Sequence, residues 1–192
     1  MKETTKAIVR EWVESIIIAV LLALFIRTFF IQAFRIPSGS MRQTLIEGDK
    51  IMVNKLLYGP KVPFTGFRFP AIREPKRGDI IVFVYPKDEK KDFIKRVIAV
   101  SGETVEISNG NILINEIPIK DPPEIIKRYY YNRGFYGQEG RTVEVPKDSY
   151  FVLGDNSDSS RDSRYWGFVP RENVIGRAMF IWWPPWRIQI LK

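Results

Sequence analysis

Asp92-Phe93-Ile94-Lys95-Arg96-Val97-Ile98-Ala99-Val100 is a run of apolar, largely β-branched and aromatic residues with two positive charges inside it. Such a run suits a strand covered on both faces, and Ser101-Gly102 supplies its stop. Alternation along a strand sends Lys95 to the same side as Phe93 and Val97. Taken alone, Lys95 reads as a lysine at a strand edge, paired with Asp92 in solvent. The reading changes once the rest of the chain is considered.

Ile80-Ile81-Val82-Phe83-Val84-Tyr85 is a second run of the same kind, entered by Gly78-Asp79 and ended by Pro86. Thr104-Val105-Glu106-Ile107 and Ile112-Leu113-Ile114 flank Asn109-Gly110, a hairpin signal because both turn residues tolerate positive φ. Further strands are expected at 141–145, 150–153, 174–183 and 186–191, the last two separated by Pro184-Pro185. No long helical period follows residue 34. The fold is therefore expected to be mostly β, an antiparallel sheet or barrel domain. Residues 104–145 separate two motif-bearing stretches and read as a small inserted β domain. The expected division is 1–34 for the tail and anchor, 35–103 with 146–192 for the β core, and 104–145 for the insert.

From Ser15 to Phe34 the sequence is SIIIAVLLALFIRTFFIQAF, with Arg27 its only charge. A helix of ~20 residues crosses the ~30 Å hydrocarbon layer of a bilayer. Trp12 at one end and Phe29, Phe30 and Phe34 at the other suit the interfaces, and Arg27 can snorkel to nearby headgroups. A buried core helix would show a polar stripe, and none runs from Ile16 to Ile26. A cleaved leader would need a small-residue site after a shorter apolar core. A retained transmembrane helix in a phospholipid bilayer is the expectation. Its orientation stays open, because Lys2, Lys6 and Arg10 on one side face Arg35, Arg42 and Lys50 on the other.

Composition narrows the chemistry. The 192 residues include no histidine and no cysteine, which excludes a Ser-His-Asp triad, a thiol nucleophile and disulfides. Only carboxylate sites for hard cations remain open to a metal. The net charge of +8 reads first as solubility, with weak attraction to anionic lipid as a by-product. No helix-turn-helix pattern or arginine-rich arm accompanies it, so no nucleic-acid partner is expected.

Hydrolysis by such a chain needs another base, and a desolvated lysine is one. Ser40 stands in Ile36-Pro37-Ser38-Gly39-Ser40-Met41, just after the apolar segment. A serine hydroxyl becomes a good nucleophile when a base takes its proton. A free lysine has a pKa near ~10.4, and burial lowers it by up to ~3–5 units.

Four boxes occur in order behind the apolar segment. They are Pro37-Ser38-Gly39-Ser40-Met41, Arg77-Gly78-Asp79-Ile80, Ile94-Lys95-Arg96-Val97, and Gly154-Asp155-Asn156 through Asp162-Ser163-Arg164-Tyr165-Trp166-Gly167-Phe168-Val169-Pro170. This set resembles the bacterial type I signal peptidases, membrane-bound serine endopeptidases that remove signal peptides from exported preproteins. The resemblance implies Ser40 as nucleophile and Lys95 as general base. It implies an oxyanion hole made by the Ser40 N–H and the Ser38 hydroxyl, Ser160 orienting the lysine amine, and Asp162 with Arg164 supporting the site from behind, read partly as a surface ion pair in a polar turn. Pocket walls for small residues at the first and third positions before the cut are implied at Phe34, Ile36, Pro37, Met41, Leu45, Phe93 and Ile94, with Ile51 equally readable as core. No cofactor and no metal are implied. The family's catalytic part lies on the extracytoplasmic side of the cell membrane, held by a single span.

The chain departs from the family pattern in three places: Arg42-Gln43 replaces a residue-proline pair, Ala99 a common glycine, and Ser157 a common arginine. Phe180-Ile181-Trp182-Trp183-Pro184-Pro185-Trp186 reads either as a patch for the bilayer interface or as aromatic closure of a β core. Two rival functions fit parts of the chain. One is a non-catalytic membrane-anchored β module, the other a self-cleaving repressor, which would need a DNA-binding segment where this chain has its apolar helix.

Overall fold

A computed structural model describes residues 2–63 and 65–192. Helix α1 covers Lys2–Phe29, and its Ile8–Phe29 stretch is long and apolar enough to cross a membrane, with no part buried against the rest of the chain. The helix ends earlier than its hydropathy suggests. Phe30 N–H still donates to Ile26, but the Phe30 carbonyl already accepts from Lys55 N–H in the sheet beyond. Residues 31–34, expected at the end of the anchor, belong instead to strand β1 (Ile31–Arg35). Pairing with β2 (Lys50–Asn54), with Phe34 opposite Ile51, outweighs the apolar run's helical continuation.

The protein beyond α1 is mostly antiparallel β. The remaining strands are β3 (Ile80–Val84), β4 (Asp92–Val100), β5 (Thr104–Ser108), β6 (Asn111–Ile114), β7 (Ile117–Pro118), β8 (Val143–Glu144), β9 (Ser149–Leu153), β10 (Val169–Pro170), β11 (Val174–Trp183) and β12 (Gln189–Ile190). Two four-residue helices, α2 (Pro123–Ile126) and α3 (Ser163–Trp166), interrupt them. The larger sheet runs β1-β2-β11-β3-β4-β9-β10, with β12 added to β11; the smaller runs β7-β6-β5-β8. All of the smaller sheet's strands lie between residues 104 and 144.

Sequence expectation and structure differ at several elements. β2, β7 and β10 were not foreseen. The strand expected at 141–145 shrinks to β8, and 186–191 becomes a 3-10 turn at Pro185–Arg187 followed by β12. The hairpin matches its signal: Asn109 and Gly110 join β5 to β6 with φ of 48° and 78°.

β3 shows why its run is continuous. Ile80 and Val82 pack in one cluster with Ile36, Met41, Leu45, Ile51 and Ile94, while Ile81 and Phe83 pack in another with Tyr58, Val97, Val152 and Trp166. A third cluster joins the sheets, with Ile98, Phe151 and Leu153 against Val105, Ile107 and Ile125. A bulge between Val97 and Ala99 of β4 turns both Ile98 and Ala99 into that third cluster. In the C-terminal aromatic stretch Ile181 is wholly buried, Phe180 and Trp182 are half-buried, and Trp183 and Trp186 are exposed.

Asp79, at the mouth of β3, ties this core together. Its carboxylate accepts from Tyr58 Oη at 2.7 Å, Arg73 Nη1 and Nη2 at 2.7 and 3.0 Å, and Lys76 N–H at 2.9 Å. Arg177 Nε of β11 lies 2.9 Å away. Asp79→Ala leaves the buried Tyr58 hydroxyl and three polar partners without their acceptor. The expected loss is about 3–5 kcal/mol, read as a fall in the urea midpoint at unchanged slope.

Candidate active site

The Ser40 turn is shaped from below. Ile36, Met41 and Leu45 are buried pegs, and the Ile36 backbone pairs with Asp49 and Gly48 in both directions at 2.8 and 2.9 Å. Between these pegs Gly39–Met41 makes one 3-10 turn. Met41 points into the core, and Ser40 is left beneath the surface of a cleft. Asn156 clasps the turn from across the sheet: its N–H donates to the Ser40 carbonyl at 3.1 Å and its side-chain amide to the Gly39 carbonyl at 2.9 Å. Gly154 permits this approach. A Cβ there would come within 2.4 Å of the Ser40 carbonyl and 2.2 Å of Ser160 Oγ.

β4 brings the lysine to the turn. Lys95 is 4% exposed, and its Nζ lies 2.7 Å from Ser40 Oγ, donating also to the Ile94 carbonyl at 3.0 Å. The Phe93 ring centroid is 5.5 Å from Nζ. Burial pushes the Lys95 amine down to about 8, against the upward pull of Asp162 and Asp155 and with a small downward push from Arg164. A neutral amine at that distance can take the hydroxyl proton, which is the step a serine nucleophile needs.

The groups expected behind the dyad fall into three cases. Asp162 and Arg164 are wholly buried, not a surface pair, and meet at Nε–Oδ1 2.8 Å and Nη2–Oδ2 2.9 Å. Asp162 also accepts from Gly154 N–H at 3.0 Å, so this pair braces the strand end beside Ser40. Ser157, where the family often has arginine, accepts from Arg164 Nη1 at 2.9 Å and from Tyr131 N–H at 2.9 Å. Ser160 is buried beside Gly154, but its hydroxyl has no hydrogen-bonding partner among the described residues, and the lysine amine is held by Ser40 and Ile94.

A cleft of about 560 Å³ opens over Ser40 and Lys95. Of the expected substrate walls, Pro37, Phe93 and Ile94 line it, as does Ser38, expected at the oxyanion hole. Ile36, Met41, Leu45 and Ile51 lie in the core beneath it, and Phe34 lines an adjoining groove. The cleft's polar rim of Arg42, Glu47, Asp92, Asn156, Ser159 and Arg161 was not anticipated.

Sequence reading also missed the partner of Arg96. This arginine is fully buried and forms a two-pronged pair with Asp155 at 2.8 and 2.7 Å. A signal was present, since an arginine next to Lys95 on a covered strand must find a carboxylate. Asp155 lay in a quoted box without an assigned role.

The signal peptidase S26 family model matches residues 9–183 of the chain. The chain belongs to this family. A signal peptidase I from Leptolyngbya laminosa is 41% identical, covering 91% of this chain and 79% of that protein. One from Aquifex aeolicus (strain VF5) is 34% identical, covering 91% and 84% respectively. A crystal structure of a signal peptidase I from Enterococcus faecalis V583 is 36% identical, covers 56% of this chain and 98% of that one, and superposes with a TM-score of 0.45. Family membership makes the chain a peptide-bond hydrolase.

The buried amine carries a stability consequence. Unfolded, Lys95 titrates near ~10.4, and folded it titrates near 8. Between those values the unfolded chain binds more protons, so stability rises with pH through this window. Below it the fold bears the full cost of a buried ammonium. Lys95→Met removes that cost and is expected to raise stability by about 3 kcal/mol at pH 7, with the gain shrinking toward pH ~10.4. Urea midpoints of both proteins across pH 6–10 check this, and an equal gain at every pH contradicts it.

Proposed function

We propose that the chain is a membrane-anchored endopeptidase that cuts signal peptides from exported preproteins after small residues at the first and third positions before the cut. Ser40 is the nucleophile and neutral Lys95 its general base. The observation that carries this reading is the 2.7 Å approach of a buried, pKa-lowered Lys95 amine to Ser40 Oγ at the floor of a cleft. Family membership supports the reaction class.

In the proposed reaction Lys95 Nζ takes the Ser40 proton as Oγ attacks the scissile carbonyl. The Ser40 N–H and Ser38 hydroxyl donate to the developing oxyanion, and the lysine returns its proton to the departing amine. Water then hydrolyses the acyl-enzyme with the same base. Asp162 and Arg164 hold the strand end that carries Gly154, and Ser160 packs against Gly154 there. Pro37, Phe93 and Ile94 wall the substrate's apolar subsites; the fully buried Ile36, Met41 and Leu45 shape them from below, with Phe34 at the adjoining groove. The substrate backbone is read as an added strand at the cleft's edge. Ile8–Phe29 anchors the enzyme, with residues 35–103 and 146–192 as the catalytic core and 104–145 as its insert. The catalytic part lies outside the cytoplasm, because signal peptides are cut after their carriers have crossed the membrane.

Ser40→Ala and Lys95→Ala are each expected to abolish cleavage of a preprotein, measured by sequencing the new N-terminus, while the fold is retained. Ser38→Ala is expected to lower kcat by ~10²–10³ with KM little changed. The rate rises with pH through a midpoint near 8, as the Lys95 amine loses its proton, and chelators leave it unchanged. Substantial cleavage by either alanine variant sinks the serine–lysine mechanism, and a rate flat from pH 6 to 10 removes Lys95 from the role of base. Protease added to sealed spheroplasts is expected to digest the soluble part; full protection reverses the assigned side.

A further inference from the structure

Arg128 lies outside the cleft and has no part in the chemistry above, yet it reaches the underside of the Ser40 turn. It follows α2, between Ile125 and Tyr130, and both of those side chains are buried in the cluster that joins the two sheets. Held there with its side chain 11% exposed, it donates from Nη2 to Thr44 Oγ1 at 2.8 Å and to Asp155 Oδ2 at 3.1 Å. The Thr44 hydroxyl in turn donates to the same Asp155 oxygen.

Each partner leads to one half of the dyad. Thr44 closes the turn that begins at Met41, directly after Ser40, and its N–H donates to the Met41 carbonyl at 3.0 Å. Gln43, between them, has a φ of +86°, a left-handed conformation that a residue with a side chain keeps only where its surroundings hold it. Asp155 is gripped on its other side by Arg96, the strand neighbour of Lys95. Its own N–H meets Met41 Sδ at 3.5 Å, and the next residue, Asn156, clasps the Gly39 and Ser40 carbonyls. One carboxylate thus joins the lysine strand, the serine turn and the 104–145 segment.

We infer that Arg128 is a positioning residue that holds the Ser40 turn against Lys95 through Thr44 and Asp155, so that the smaller sheet's segment takes part in setting the dyad. The inference rests on the Ser40–Lys95 reading. It has an electrostatic side that a plain packing role lacks. Lys95 is faced by Asp162, Asp155 and Arg164, and Asp155 is faced by Arg96, Arg128 and Tyr130. Without the Arg128 cation, Asp155 is less compensated and favours the ammonium form of Lys95.

The test follows preprotein cleavage by the full chain in detergent from pH 6 to 10, for the unaltered protein, Arg128→Met, Arg128→Lys, Thr44→Val and Ser40→Ala. Arg128→Met is expected to lower kcat by about 10- to 100-fold with KM within about twofold, as a misplaced reacting group does. Its pH–rate midpoint is expected to move upward by about half a unit or more. Arg128→Lys restores the charge and is expected to recover most of both. If Arg128→Met fails to fold, as judged by its thermal melt, Thr44→Val removes the same bridge and is expected to lower kcat at unchanged KM. Unaltered kcat in Arg128→Met or Thr44→Val overturns the inference, as does a lowered kcat with an unmoved midpoint and no recovery in Arg128→Lys. Cleavage by Ser40→Ala would instead overturn the dyad reading, so the two failures are separable.

Discussion

The burial of one amine constrains the rest of this structure. Lys95 sits on a strand covered on both faces, with Nζ 2.7 Å from Ser40 Oγ. Water is largely excluded there, so the charged form is disfavoured and the neutral form becomes accessible near pH 8. That environment has to be built from groups that do not themselves restore the charge. The fold does this by pairing each nearby carboxylate: Asp155 with Arg96 and Arg128, and Asp162 with Arg164. Each pair leaves Lys95 a smaller share of the negative field than a bare carboxylate would. The same pairs fasten the loops around Ser40 to the strands beneath.

Sheet order explains how residues 55 positions apart meet. β4 lies between β3 and β9, and the chain leaving β9 passes directly under the Ser40 turn. Gly154 lets that passage come close enough for Asn156 to hold the turn's carbonyls. The turn is pegged by Ile36, Met41 and Leu45, so its buried side chains set geometry and its exposed backbone and hydroxyls face the cleft. This division of labour accounts for the difference between expected and observed pocket walls. Residues near Ser40 in sequence are apolar because they are pegs, and only Pro37, Phe93 and Ile94 among the expected pocket walls reach the cleft surface.

Much of the β architecture was legible because its cause is local. Continuous β-branched runs marked β3 and β4, and Asn109-Gly110 marked a hairpin by its tolerance of positive φ. β1 was hidden within an apolar run whose helical reading is correct up to Phe29. β10 is only two residues long and β2 is held between β1 and the distant β11, so no local pattern announces them. Of the strands between residues 104 and 145, β5, β6 and β8 were visible, but Arg128's reach to Asp155 was not, because that contact spans 27 residues and two sheets.

Composition alone excluded histidine and thiol chemistry, and the ordered boxes around Ser40 and Lys95 singled out the pair and the family. Spacing in a chain carries no distance in space. Whether Asp162 and Arg164 lie on the surface or in the core, which carboxylate answers Arg96, and which apolar neighbours of Ser40 face the cleft all depend on strand order and on what packs behind each turn. These follow from long-range burial, where the cost of an unpaired charge selects partners that local sequence does not name.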